Sequence, residues 1–131
     1  MAKLIFTILF GLSLFTNVFA DAVLKEFMGT PQGDRIVINW KTGEEKDINI
    51  FLIERSNDNK IFTKIGEIAA KGDNSDYQFE DTNLTTVQAT YYYRLRIRRT
   101  DGTFQMTEVI TVIPKISSFA KTWGSIKALF Q

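Results

Sequence analysis

Apolar and polar residues alternate along most of this chain. In Arg35–Lys41, Ile36, Ile38 and Trp40 fall on one face, and Arg35, Val37, Asn39 and Lys41 on the other. Tyr91–Arg98 repeats the pattern, with Tyr91, Tyr93, Leu95 and Ile97 opposite Tyr92, Arg94, Arg96 and Arg98. Asn49–Arg55 places Phe51 and Ile53 on one side, and Ile50 and Leu52 on the other. A period of two, enriched in β-branched and aromatic residues, predicts half-buried strands. Ala22–Phe27, Ile61–Ile68, the short Tyr77–Phe79 and Phe104–Ile113 complete a set of seven. The segments between them carry turn chemistry: Thr30-Pro31-Gln32-Gly33-Asp34, Ser56-Asn57-Asp58-Asn59 and Thr100-Asp101-Gly102. Pro114, which has no N–H to donate, ends the last strand. Seven short strands with no periodic helix between them predict an all-β sandwich and exclude a parallel α/β sheet. Ile36, Ile38, Trp40, Phe51, Ile53, Tyr93, Leu95 and Ile97 are the expected core.

The period changes at both ends. Lys3, the apolar run Leu4–Phe15 and the small residues Val18 and Ala20 before Asp21 have the three-part layout of a cleaved signal peptide over residues 1–20. The alternative is a retained anchor, but the apolar run is shorter than the roughly 20 residues that span a bilayer. The expectation is an exported protein, periplasmic or at the cell surface. At the other end, Lys115–Gln131 places Ile116, Phe119, Ala120, Trp123, Ile126 and Phe130 on one face at about 100° per residue. This predicts an amphipathic α-helix following a sandwich over residues 21–114. So short a helix needs a surface to lie on. Its own sandwich, a protein partner and a membrane interface are all open.

Composition then narrows the chemistry. The 131 residues contain no His and no Cys. That excludes a Ser-His-Asp triad, a Cys nucleophile, imidazole or thiolate metal sites and disulfides. With Lys3 removed the chain is formally neutral, which argues against nucleic acid as a partner.

Trp40, Thr42, Glu45, Phe51, Ile53, Glu54, Arg55, Ser56, Asp58, Phe62, Ile65 and Gly66 stand in the order W-x-T-x-x-E-x5-F-x-I-E-R-S-x-D-x3-F-x-x-I-G. Tyr77-x-Phe79-x-Asp81, Tyr92-Tyr93-Arg94-Leu95 and Asp101-Gly102 follow. The pattern, from Val23 to Ile113, resembles the fibronectin type III-like modules of exported and cell-surface proteins from Gram-negative bacteria that use type IX secretion. The resemblance implies an immunoglobulin-like sandwich serving as a spacer or adhesive module without enzymatic activity. It makes Trp40 the buried core tryptophan and likens Tyr93 to the tyrosine of strand F. Lys115–Gln131 is too short for the sorting domain that ends many such chains.

Three groups remain as candidate chemistry. Glu44, Glu45 and Asp47, and then Asp73, Asp76, Glu80 and Asp81, form acidic clusters without the spacing of a calcium loop. Solvated loop carboxylates, with Asp81 in a local turn bond, are the plainer expectation, and no metal or cofactor is expected. Arg94, Arg96 and Arg98 form a basic stripe that either binds an acidic polysaccharide or pairs across strands with Glu54 and Glu108. Phe119, Trp123, Ile126 and Phe130 are the binding residues expected on the tail. The expected function is a non-catalytic interaction or structural module whose terminal helix docks a partner or membrane. The alternative is a polyanion-binding protein acting through the arginines.

Overall fold

The computed structural model describes residues 23–85 and 90–114. The expected signal peptide and the expected helix with Phe119, Trp123, Ile126 and Phe130 lie outside the described residues.

Eight strands form two antiparallel sheets among the described residues. The smaller sheet has the order β1 (Leu24–Gln32), β2 (Arg35–Thr42), β5 (Asp76–Asp81). The larger has the order β4 (Thr63–Ala69), β3 (Ile48–Ser56), β6 (Tyr91–Arg99), β7 (Phe104–Met106), with β8 (Ile110–Val112) also paired to β6. The alternation in the sequence is the alternation between core and surface. All eight expected core residues are completely buried. Trp40 stacks on Tyr77 with ring centroids 5.1 Å apart, and Phe51 tilts against both rings.

Two strand boundaries depart from expectation. β1 runs to Gln32 rather than stopping at Phe27, and the turn contracts to Gly33-Asp34. Pro31 sits inside the strand because β1 is a sheet edge, where a missing N–H costs no ladder bond. Gly33 takes φ 62°, as a tight hairpin with glycine at its first central position requires.

The last strand is two strands. Arg96 opposes Met106 and Tyr93 opposes Ile110, so β7–β8 carries one residue more than β6 over the same span. The extra residue is accommodated around Thr107. Its N–H donates to Leu95 O at 3.0 Å, and its Oγ1 accepts from Leu95 N–H at 2.9 Å. Such a bulge inverts the facing of everything beyond it. Phe104 and Met106 therefore point out, while Val112 is buried and Ile110 packs against the core.

The open sides of the sandwich close through glycine. At one side Gly66 of β4 meets Phe79 of β5, and at the other Gly29 of β1 meets Val112 of β8. β1 and β8 run side by side in the same direction, Leu24–Phe27 beside Thr107–Ile110 and Gly29 beside Val112.

Candidate functional site

The carboxylates and arginines of the motif sort into buried clamps and one outer face. Glu45 is buried between β2 and β3. Its Oε2 accepts hydrogen bonds from Thr42 Oγ1 and Tyr77 Oη, each at 2.6 Å, and its Oε1 accepts from Gly72 N–H at 2.9 Å. Its own N–H donates to Asp73 Oδ1 at 2.7 Å. The spacing W-x-T-x-x-E thus ties the end of β2 to the loop before β5. Burial, followed by the bond to Glu45, pushes the Tyr77 hydroxyl up to about 12.

Asp81 is the second clamp, and it corrects the expectation of a solvated loop carboxylate. It is buried at the end of β5 and takes Arg55 Nη1 on both oxygens at 2.9 Å. Tyr93 Oη donates to Oδ2 at 2.6 Å. The expected local turn bond, from Asn83 N–H, is present at 3.3 Å. Burial and the bond to Asp81 hold the Tyr93 hydroxyl well above the usual tyrosine range. Arg55, Asp81 and Tyr93 join β3, β5 and β6. Removing one member of so buried an ion pair typically costs about 3–5 kcal/mol.

Tyr91, not Tyr93, makes the bond to upstream backbone that marks the strand F tyrosine of this fold. Its hydroxyl donates to Thr85 O at 3.0 Å and accepts from Thr85 N–H at 2.9 Å. In the β3–β4 turn, Asp58 Oδ1 accepts from Ser56 Oγ, Lys60 N–H and Ile61 N–H at 2.9–3.0 Å. Those bonds pull its carboxyl down to about 2. Among the described residues no group of three or more Asp or Glu side chains is placed to hold a metal ion.

What folding leaves over is the outer face of the five-stranded sheet. Pairing register sets Leu52, Arg96 and Met106 in one row across β3, β6 and β7, and Ile50, Arg98 and Phe104 in the next. Glu54 opposes Arg94 in a third row. Arg94 Nε donates to Glu54 Oε1 at 2.8 Å, and its guanidinium lies 4.0 Å from the Phe62 ring centroid. Arg96 lies 3.8 Å over Phe104, and its Nη1 reaches only to 3.9 Å from Glu54 Oε2. Arg96 Nε is buried with no acceptor among the described residues. Arg98 is exposed. The sequence-predicted stripe is therefore one strand face with unequal members. Glu54 holds Arg94 firmly and Arg96 weakly, while Glu108 makes no ion pair to the arginines among the described residues. Phe104 and Met106, 42% and 44% exposed, join this face, and only the bulge reveals that they do.

No family model matches the chain, and no curated protein sequence matches it. Solved structures do. Pectate lyase PelI from Erwinia chrysanthemi, in complex with tetragalacturonic acid, superposes with a TM-score of 0.54 at 14% identity, over 66% of this chain and 27% of that one. Pectate lyase Pel3 from Pectobacterium carotovorum gives 0.52 at 17% identity, over 68% and 26%. The chain thus spans about a quarter of the length of these lyases. Their presence corrects the expectation of a chain without enzymatic activity: this fold recurs inside catalytic proteins, so sandwich architecture cannot exclude an enzyme. At such identities the likeness shows the fold and transfers no activity. An Fn3-like protein from Clostridium thermocellum superposes with a TM-score of 0.53 at 15% identity, over 72% of this chain and 93% of that protein. Two antiparallel sheets in this strand order, matched along nearly the whole of a solved Fn3-like protein, make the fold of residues 23–114 fibronectin type III-like.

Proposed function

We propose that the protein is an exported interaction module of the periplasm or cell surface, whose tail docks a protein partner or a membrane. The type IX-linked modules named above are the kind of protein it resembles. One observation carries this reading. Among the described residues four of the six exposed large apolar side chains fall in the short segment from β7 to just past β8, namely Phe104, Met106, Val109 and Ile113, the others being Met28 and Ile61. Monomeric soluble domains rarely string such side chains together without a use for them. The series continues in sequence into Phe119, Trp123, Ile126 and Phe130 at helical spacing. The motif residues, by contrast, are spent on clamps that hold the fold.

The polyanion alternative rests on Arg94, Arg96 and Arg98. Glu54 offsets part of that charge, leaving Arg98 as its best support. Heparin retention at low salt, lost in an Arg96→Glu/Arg98→Glu variant, would favour it.

Truncation after Pro114 tests the main reading. The truncated chain is expected to stay folded with little change in melting temperature and to lose its association with the cell envelope. A large drop in melting temperature would instead place the tail in the sandwich core. Undiminished association with the fold intact would remove the tail from the function.

A further inference from the structure

We propose that the rows Leu52–Arg96–Met106 and Ile50–Arg98–Phe104 dock an acidic amphipathic segment of another protein, an inference that rests on the interaction-module reading. Each row centres an arginine between apolar side chains of the neighbouring strands. Arg96 lies 3.8 Å over the Phe104 ring, and among the described residues its one carboxylate neighbour, Glu54, lies at 3.9 Å, beyond hydrogen-bond reach. Its Nε is buried and out of a partner's reach, but the side chain is 37% exposed, and Arg98 is exposed beside it. A pre-positioned, under-satisfied guanidinium is a receptor for carboxylate.

Charge selects the occupant. The chain's own tail offers Lys115, Lys121 and Lys127 and no acid, so it cannot satisfy the arginines. A second copy seated through the same face would set arginine against arginine. The aliphatic flanks Leu52, Ile50 and Met106 suit apolar side chains of a protein segment, and Arg96 already covers one side of the Phe104 ring. Alternate residues of a strand stand about 7 Å apart. Two carboxylates one turn apart on a helix, at about 6 Å, match that spacing, as do alternate positions of a strand. The partner segment therefore carries a pair of Asp or Glu residues at one of these spacings, bordered by apolar residues.

The test places p-benzoylphenylalanine at position 104 of the full chain, photolyses intact cells and identifies the cross-linked peptides. The expected peptide is a protein segment with that acidic pair. Its yield should fall at least about tenfold in Arg98→Glu and return when the partner's two carboxylates are replaced by Lys. Arg98→Glu spares the Glu54–Arg94 pair, and an unchanged melting temperature will establish that it folds. Cross-links confined to residues 115–131, to a second copy or to polysaccharide overturn the proposal, as do a yield indifferent to Arg98→Glu or no cross-link at all. Fractionating the same cells with the chain truncated after Pro114 separates the two readings. If truncation releases the chain from the envelope but the cross-link fails, only the docking face is wrong. If both fail, the interaction-module reading falls with it.

Discussion

Phe79 occupies the space that a side chain at Gly66 would need: a Cβ built on Gly66 would stand 2.2 Å from Phe79 Cε2 and 2.6 Å from its Cζ. The glycine is there so that the ring of one sheet can reach the backbone of the other. Gly66→Ala should lower stability by about 1–3 kcal/mol through overpacking. Phe79→Leu placed on top of it should recover part of the loss. Urea unfolding of the two variants decides this. A stable Gly66→Ala protein would mean that the two sheets do not close there.

Tyr77→Phe removes one of the donors to buried Glu45 and should cost about 1–3 kcal/mol at neutral pH. The pH profile is more specific. The hydroxyl ionises at about 12 in the folded protein against 10.0 for an unperturbed tyrosine. A raised value favours the neutral form, so the contribution is complete below pH 10 and disappears as pH climbs towards 12. Stability measured from pH 8 to 12 should fall less steeply in Tyr77→Phe. Part of the alkaline loss will persist, because Tyr93 is shifted in the same direction. An unaltered profile would detach Tyr77 from the Glu45 clamp.

At the acid end the sign reverses. Asp58 titrates at about 2 rather than 3.8 because the N–H groups of Ile61 and Lys60 and the Ser56 hydroxyl favour its charged form. Its contribution is whole above pH 3.8 and is lost as pH falls through 2. Asp58→Asn should flatten the acid limb of a pH-dependent melting series while leaving the alkaline limb as it was. A wild-type slope between pH 2 and 4 would contradict the turn geometry.

Deleting Glu108 tests the bulge. With the extra residue gone, unbroken alternation keeps Ile110 opposite Tyr93 and Val112 opposite Tyr91, both facing the core with Thr107. The variant should therefore stay folded, with a denaturant midpoint close to that of wild type. Unfolding at much lower denaturant, as would follow if Ile110 and Val112 turned outward and each forfeited roughly 1.5–3 kcal/mol of burial, would show that the extra residue does not lie between Thr107 and Ile110.

Much of this architecture was legible because period two coincides with burial. Ile36, Ile38 and Trp40, and Tyr93, Leu95 and Ile97, could be assigned to the core from parity alone. Parity failed where the backbone breaks it. Phe104–Ile113 reads as one strand, and nothing in Phe104-Gln105-Met106-Thr107 announces that Thr107 will lend its hydroxyl to the ladder. The placement of Phe104 and Met106 on the arginine face was lost with it. Charged residues were legible only in part. Glu54 could be matched to the arginines because it leans outward beside β6. Arg55 shares parity with Phe51 and Ile53, which was the available sign that it turns towards Asp81. Tyr91 and Tyr93 have the same parity and the same burial, so choosing which closes the corner required the position of Thr85.

The parallel course of β1 and β8 has a mechanical consequence. Leu24 begins β1 beside Glu108, and Gly29 lies beside Val112 further along, so the chain enters the sandwich at one pole and leaves near the other. If the two ends are held by different attachments, tension runs lengthwise and loads the ladders in shear, where many hydrogen bonds must break together. β1 and β8 meet through Gly29 and Val112 side-chain contact and are hydrogen-bonded to different sheets. Under load the first slip is therefore expected along that seam, with the β3–β6 ladder and the Glu54–Arg94 pair the last to yield.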